Sequence, residues 1–177
     1  MNGADINSVK SRQEFTVGIV HFWLKWLVTP RVANDPKFQV YAASPLLLTG
    51  VLSDGYTPSL QKLLHGVNIF EKKLVMFPVY AGQHWSQIAV FNPININQTS
   101  KRWKDETYTS DVAAIVHLDS MSSDTPHDRH KLSHAVWNIL NKEWEIHCNI
   151  AIDKTSLPFH IRIRREACRL HTMKGEF

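Results

Sequence analysis

The chain has 177 residues, of which 44% are hydrophobic and 20% are charged. Such a chain is long enough for one domain with a packed core, and its composition excludes an intrinsically disordered protein. The formal net charge is only +4. A nucleic-acid-binding domain would need a broader basic face with interleaved aromatic side chains, so nucleic acid is not an expected partner.

The number of cysteines and the length of the hydrophobic segments indicate the cellular compartment of the protein. The two cysteines, Cys148 and Cys168, are too few for a disulfide framework, which favours a reducing intracellular compartment, the nucleus or the cytoplasm. The first residues lack the charged and apolar regions of a signal peptide, and no apolar run reaches membrane-spanning length. We therefore expect an intracellular monomer without a membrane partner.

The front half of the chain is predicted to be helical. Residues 1–13 are polar and predict a flexible lead-in to a single domain that covers residues 14–177. Apolar side chains recur at helical spacing over residues 14–28, which predicts a helix. The same periodicity over residues 38–52 predicts a second helical region, entered near Ser44, which precedes a proline suited to a first helical turn.

Three β-prone segments follow a short helix capped by Thr57. The first segment is expected to end at Pro78, and a turn that contains Gly82 separates it from the second. An amphipathic helix over residues 134–144 and a further strand over residues 146–152 complete the order. Helices come first and strands afterwards, which predicts an α+β domain rather than regular βαβ winding. The three segments are Leu74–Phe77, Gln87–Phe91 and residues 113–118.

Two polar residues stand at the ends of these predicted strands. His84 opens the second strand, and Asp119 follows the third. A histidine at the mouth of one strand and a carboxylate at the tip of another provide the base and the orienting group that activate a nucleophile. The residues alone also allow a structural interpretation, in which His84 is a strand-edge histidine and Asp119 forms a turn.

Seven short blocks between about residues 14 and 144 carry a resemblance to a known family. They are Phe22–Leu27, Val67–Lys73, Phe77–Tyr80, His84–Trp85, Ala89–Pro93, Val116–Met121 and Glu143–Glu145. Together they resemble the SUMO/ubiquitin-like-protein-specific cysteine proteases, the papain-like group of Ulp and sentrin-specific proteases. The His-Trp and Leu-Asp-Ser blocks are specific when both occur in this order and strand context.

The resemblance implies a papain-like cysteine protease fold of the Ulp/adenain type, with a helical front half packed on a central mixed β-sheet. It implies that His84 is the general base, that Asp119 orients it, and that Trp85 forms a wall of the tunnel that grips a Gly-Gly tail. The implied reaction is hydrolysis of the peptide or isopeptide bond after that tail. The implied partner is SUMO or another ubiquitin-like modifier and its conjugates, and no cofactor is implied.

The C-terminal residues depart from the family pattern around the candidate nucleophile, Cys168. In the family an Asp precedes the nucleophile, a Gly follows it, and an oxyanion-stabilising Gln lies six residues before it. Here those places hold Ala167, Arg169 and Arg162, and the C-terminal part of the domain is expected to be truncated. Cys168 is therefore either an altered nucleophile or a bystander thiol. Accordingly, the chain is either a peptidase or an inactive relative that binds a ubiquitin-like modifier.

Three further histidines, His127, His130 and His134, lie at helical spacing near the start of the last predicted helix. Histidines at this spacing share one helix face, where they could bind a metal ion. They could equally be solvated histidines on the protein surface. We expect surface histidines here and no metal ligands. Cys148 has no motif around it and is expected to be buried and inert.

Overall fold

The computed structural model describes residues 3–11, 14–28, 39–64, 66–98, 113–121 and 127–148. Within these ranges the α-helices are α1 (Gly3–Lys10), α2 (Val17–Val28), α3 (Pro45–Asp54), α4 (Pro58–Gln61) and α5 (Arg129–Cys148). The strands are β1 (Val40–Ala42), β2 (Leu74–Ala81), β3 (His84–Phe91) and β4 (Ala114–Leu118). Short 3₁₀ helices occupy Lys62–Leu64, Ile69–Glu71 and Pro93–Gln98.

The four strands form one mixed sheet in the order β1-β2-β3-β4. Strand β1 runs parallel to β2, whereas the β2–β3 and β3–β4 pairs are antiparallel. Helix α3 contacts both β2 and α5, so the helices bury the inward-pointing, alternate residues of the strands. The α+β class with a central mixed sheet is confirmed. The core contains Leu47, Leu48 and Val51 of α3, Val75, Phe77 and Val79 of β2, and Val136, Ile139 and Leu140 of α5.

A two-residue turn, Gly82 and Gln83, joins β2 to β3. Both residues have positive φ, 55° and 62°, which is the backbone of a primed hairpin turn that matches the twist of the strands. Glycine adopts this conformation without steric cost. The turn sets the register in which Ala81 pairs with His84, and it therefore places His84 at the first position of β3.

Strand β2 continues through Pro78, although the sequence pattern predicts that it ends there. The carbonyl of Met76 faces β1, because it accepts the N–H of Ala43. By the two-residue period of a strand, the nitrogen of Pro78 faces the same side, beyond the last paired residue of β1. The missing N–H therefore removes no ladder hydrogen bond, and β2 runs on to Ala81.

A strand replaces the first part of the helical region expected over residues 38–52. Val40–Ala42 pairs with the start of β2 as β1, and α3 begins only at Pro45. The helix entry near Ser44 is confirmed, because its side chain accepts the N–H of Leu46. The helical prediction before Ser44 is wrong because a three-residue segment is too short to show a period, so its partner strand decides its conformation.

Residues 3–10 form helix α1, whereas their polar sequence predicts a flexible lead-in. Asp5 is buried and accepts a hydrogen bond from Thr16 Oγ1 at 2.5 Å. The same Thr16 oxygen accepts the N–H of Ile19 at the start of α2. A buried carboxylate is stable only when donors satisfy it, and this network ties α1 to α2.

Helix α5 is longer than the predicted helix over residues 134–144. The strand predicted over residues 146–152 is wrong for Ile146, His147 and Cys148, which continue α5. Adding a residue to an existing helix requires no new nucleation, so the helical state is favoured there. Residues 149–152 lie outside the described residues.

Four apolar residues of α2 are exposed, although the sequence pattern placed them on one face with the buried Ile19. Their exposed fractions are 43% for Phe22, 50% for Trp23, 47% for Trp26 and 51% for Leu27. Hydrophobic periodicity identifies residues that share a face, but tertiary packing decides whether that face is covered. Despite the apolar character of α2, none of the described helices meets the length and hydropathy that crossing a membrane requires.

We expect Tyr56→Phe to lower the free energy of unfolding by about 1.5–3 kcal/mol, because it removes a donor from a buried carboxylate. Tyr56 donates to Glu143 Oε1 at 2.5 Å, and Glu143 is 2% exposed. Burial, followed by the hydrogen bond to Glu143, raises the pKa of Tyr56, so the phenol remains a donor at neutral pH. Urea unfolding would measure the change.

The matched control for this measurement is Tyr80→Phe, which removes a hydrogen bond to the exposed carboxylate of Glu14. Water replaces that bond, so the control should change stability far less. Equal losses in the two variants would contradict the role given to the buried Tyr56–Glu143 pair.

Candidate active site

The candidate site lies at the sheet edge where β3 begins and β4 ends, because the two strands are antiparallel. Ile88 pairs with His117, and the two-residue period places His84 and Asp119 on the same face as this pair. If the pairing of Gln87 with Leu118 is extended by one residue, Ser86 lies opposite Asp119. His84 is then the diagonal neighbour of Asp119. The strand pairing therefore brings a histidine and a carboxylate together.

His84 Nε2 and Asp119 Oδ1 lie 2.6 Å apart, so the prediction that these side chains meet is confirmed. The backbone N–H of Met121 donates to the same Asp119 oxygen at 2.9 Å. Because a carboxylate only accepts hydrogen bonds, the proton of a neutral His84 resides on Nε2. His84 Nδ1 is then the ring nitrogen that can accept a proton.

Partial burial strengthens this hydrogen bond. The side chains of His84 and Asp119 are 16% and 10% exposed, so little water competes for the contact, while His84 still reaches the surface. In a medium of reduced dielectric constant, an ionised acceptor holds its donor more tightly than it does in water. The arrangement fixes the orientation and the tautomer of one imidazole, as general-base chemistry requires.

Ser86 joins two buried histidines behind the His84–Asp119 pair. Its Oγ lies 2.5 Å from His127 Nδ1 and 2.8 Å from His117 Nε2. Each of these ring nitrogens is 3.9 Å from Asp119 Oδ2. Burial lowers the pKa of His117 and of His127, so both imidazoles are neutral at neutral pH.

Ser86 and His117 were not predicted as site residues, and the surface position predicted for His127 is wrong. His127 is buried, whereas we expected a surface histidine; it lies before α5, and its ring packs 5.3 Å from that of His84. A signal for His117 existed, since it is a polar residue at an inward position of an apolar strand. His130 and His134 are exposed on α5, as expected.

Trp85 follows His84 in β3, and strand alternation directs its side chain to the opposite face. Its indole packs against Tyr80, with ring centroids 4.8 Å apart, and its Nε1 donates to the carbonyl of Phe15 at 2.9 Å. The segment before α2 therefore holds the indole in place. Trp85 is a half-buried aromatic residue directly beside the His84–Asp119 pair along the chain.

The candidate nucleophile lies outside the described residues. Cys168 and its neighbours Arg162, Ala167 and Arg169 all fall there. Cys148 ends α5, but its side chain is likewise outside the described part, and so is its expected burial. The described residues thus bring together the predicted base and its carboxylate, whereas the Trp85 indole lies on the opposite face of β3.

Known proteins are similar to this chain in sequence or in fold. No family model matches it. A sentrin-specific protease of Caenorhabditis elegans is 26% identical over 98 residues, which make up 55% of this chain and 13% of that protein. The chain therefore spans only a small part of this relative.

Two solved structures have the same fold. A de-sumoylating protease superposes with a TM-score of 0.66 at 19% identity, over 88% of this chain and 56% of that one. The SUMO protease Ulp1, with its catalytic cysteine oxidised to a sulfinic acid, superposes with a TM-score of 0.58 at 14% identity, over 82% of this chain and 56% of that one. The resemblance to the SUMO-specific cysteine proteases is confirmed. The expected Ulp-type fold is confirmed with it.

The buried histidines predict a pH dependence of stability. Because His117 and His127 have lowered pKa values in the folded protein, the unfolded chain binds more protons below its own histidine pKa of about 6.5. Stability should therefore decrease as pH falls from about 6.5 towards the folded pKa values. Urea unfolding across this window, in buffer with a chelator, measures the slope.

His117→Gln should make this pH dependence shallower, because one of the two responsible groups is removed. His130→Gln is the matched control, since His130 is exposed on α5 and should leave the slope unchanged. A slope that is the same in wild type and in His117→Gln would show that the buried imidazoles do not cause it.

Proposed function

We propose that this chain is a cysteine-type peptidase domain that hydrolyses the peptide or isopeptide bond after the Gly-Gly tail of a ubiquitin-like modifier. The observation that carries the proposal is the 2.6 Å contact between His84 Nε2 and Asp119 Oδ1, on a fold shared with SUMO proteases. His84 is the general base, Asp119 orients it, and Cys168 is the nucleophile.

The first chemical step uses the ring nitrogen that faces away from the carboxylate. His84 Nδ1 accepts the thiol proton of Cys168, and the thiolate attacks the carbonyl carbon after the second glycine. The imidazolium that forms carries protons on both nitrogens, and Asp119 stabilises its charge through Nε2–H. The carbonyl electrons move to oxygen and form a tetrahedral intermediate.

The second half of the reaction returns the proton and releases the modifier. His84 Nδ1–H protonates the leaving amine, the C–N bond breaks, and a thioester joins the modifier to Cys168. Water then attacks the thioester, with His84 as base, and restores the thiol. Arg162 stands where the family pattern has a glutamine that stabilises the oxyanion. The side chain of Arg162 would therefore have to donate the hydrogen bond that the glutamine provides in the family.

The partner is SUMO or another ubiquitin-like modifier and its conjugates, which fits the two structural neighbours, a de-sumoylating protease and a SUMO protease. Trp85 contributes the wall that holds the thin tail, because a flat indole can clamp a peptide without side chains and exclude water. The two cysteines of the chain, too few for a disulfide framework, support action in the nucleus or the cytoplasm. We propose that the domain acts there as a monomer.

A second candidate function is a binding module that has lost its chemistry. The observation that favours it is the departure around Cys168, where Ala167, Arg169 and Arg162 replace three residues of the family pattern. Loss of one oxyanion donor alone lowers rates by about 10²–10³. Such a module would retain Trp85 and the modifier surface.

A vinyl sulfone attached to a modifier's Gly-Gly tail distinguishes the two candidates. We expect wild type to be labelled, but about 10²–10³ times more slowly than a protease with the family glutamine. Labelling should be lost in Cys168→Ala and in His84→Ala, because the thiol and its base are removed. Intact-mass spectrometry measures the adduct.

Cys148→Ala is the matched control for this labelling, since it removes the other thiol and should label like wild type. Labelling that depends on Cys148 would contradict the roles given to Cys168 and His84. A complete absence of labelling in wild type would favour the binding module.

Both candidates predict that Trp85→Ala weakens modifier binding. We expect a loss of about 2 kcal/mol, which is about 30-fold in Kd, because a buried aromatic anchor typically contributes that much. Isothermal titration calorimetry with SUMO measures the affinity. Trp26→Ala is the control, as Trp26 is an exposed indole on α2. Equal Kd values for wild type and Trp85→Ala would remove the indole from the binding site.

A further inference from the structure

A second set of chemically active groups lies directly behind the proposed base. His117 comes from β4, His127 lies before α5, and Asp119 follows β4. Their ligand atoms, one ring nitrogen from each histidine and one carboxylate oxygen, all lie within 4.8 Å of one another. Neither histidine has a role in the proposed peptidase reaction.

The geometry of Ser86 shows that the two imidazoles converge. One hydroxyl oxygen contacts His127 Nδ1 at 2.5 Å and His117 Nε2 at 2.8 Å, so both ring nitrogens point to one small volume. Asp119 Oδ2 borders that volume at 3.9 Å from each nitrogen. The two imidazole rings are stacked, with centroids 5.8 Å apart, which limits their rotation.

Compared with the ligand atoms of an occupied zinc site, Asp119 Oδ2 lies slightly too far from the ring nitrogens and Ser86 Oγ slightly too close to them. Zinc–nitrogen bonds of about 2.0–2.1 Å place tetrahedral ligand atoms about 3.3 Å apart. Shifts of a few tenths of an ångström in each side chain would close the difference between 3.9 Å and this value. Rotation of the Asp119 carboxylate can bring Oδ2 closer, and rotation of the Ser86 side chain about its Cα–Cβ bond can move Oγ away from the nitrogens, without moving a strand.

The donor set selects the class of ion. Two imidazole nitrogens with one carboxylate oxygen suit zinc and other divalent transition metals, whereas magnesium and calcium prefer oxygen ligands alone. The Ser86 hydroxyl or a water molecule can occupy the fourth position.

We propose that His117 Nε2, His127 Nδ1 and Asp119 Oδ2 form a zinc-binding site that disables the adjacent base when it is occupied. An ion there shares the Asp119 carboxylate with His84 and places two positive charges beside the ring that must become imidazolium. The thiol proton then has a less favourable acceptor. The inhibitory consequence rests on the proposed peptidase, whereas metal binding itself does not.

The full-length chain, freed of metal with a chelator, is titrated with Zn²⁺ by calorimetry and with Co²⁺ by visible absorption. We expect one ion per chain and an intense d–d spectrum of a four-coordinate site with nitrogen ligands. His117→Gln and His127→Gln should each weaken Zn²⁺ binding at least about 100-fold, since each removes a direct ligand. His130→Gln and His134→Gln are matched controls on α5 and should bind like wild type.

A measurement on wild type protects the test from variants that fail to fold. Saturating Zn²⁺ should move the ¹⁵N resonances of His117 Nε2 and His127 Nδ1, and it should raise the melting temperature by about 5–10 °C at a hundredfold excess over Kd. It should also shift the proton resonance of His84 Nε2–H, because Asp119 is shared. This last readout needs no catalytic activity.

Several outcomes would overturn the proposal. Binding that survives both glutamine variants, or that disappears instead in Cys148→Ser or Cys168→Ser, would assign the ion to other ligands. Unmoved ring nitrogens at saturating Zn²⁺ would exclude the site. Moved nitrogens with an unmoved His84 proton would refute the coupling to the base. A chain that binds Zn²⁺ as described but is never labelled by the vinyl sulfone would refute the proposed function and not the metal site.

Discussion

The register between β3 and β4 is the constraint on which the site depends. Pairing of Ile88 with His117 puts His84, Ser86 and Asp119 on one face at one edge of the sheet. A slip by one residue would turn Asp119 to the opposite face, away from His84. The apolar residues of β4 hold this register, because the slip would also move Ile115 out of the core. Packing of the core and alignment of the site are thus one requirement.

The hairpin and the proline of β2 serve the same alignment. Positive φ values at Gly82 and Gln83 start β3 at His84 rather than one residue earlier or later. Pro78 is tolerated where β1 has already ended, so β2 continues far enough to pair with the His84 end of β3. If β2 ended at Pro78, the first residues of β3 would have no partner on that side, and the base would stand on an unpaired strand end.

A polar cluster inside the covered face is expensive unless its members satisfy one another. Here Ser86 contacts both His117 and His127, and Asp119 accepts from His84 and from the backbone of Met121. The cluster therefore fixes side-chain orientations at the sheet edge, where apolar packing is thinnest. The same preorganisation suits proton transfer at His84 and ion binding behind it, and both uses draw on the Asp119 carboxylate.

The sequence by itself determined the class of the domain, most of its elements and two residues of the site. Alternation and turn residues located β2, β3 and β4, Ser44 and Thr57 marked helix starts, and the family blocks identified His84 and Asp119. These signals are local, or they combine short motifs in a fixed order, so one sequence contains them.

Only the tertiary structure decided the rest. The conformation of Val40–Ala42 depends on pairing with a strand more than thirty residues away, and the exposure of Trp23 and Trp26 depends on what covers α2. The convergence of Ser86, His117 and His127 requires two paired strands to meet a residue just before a helix. Distances between residues far apart in the chain are set by the packing of the whole domain, and no local pattern records them.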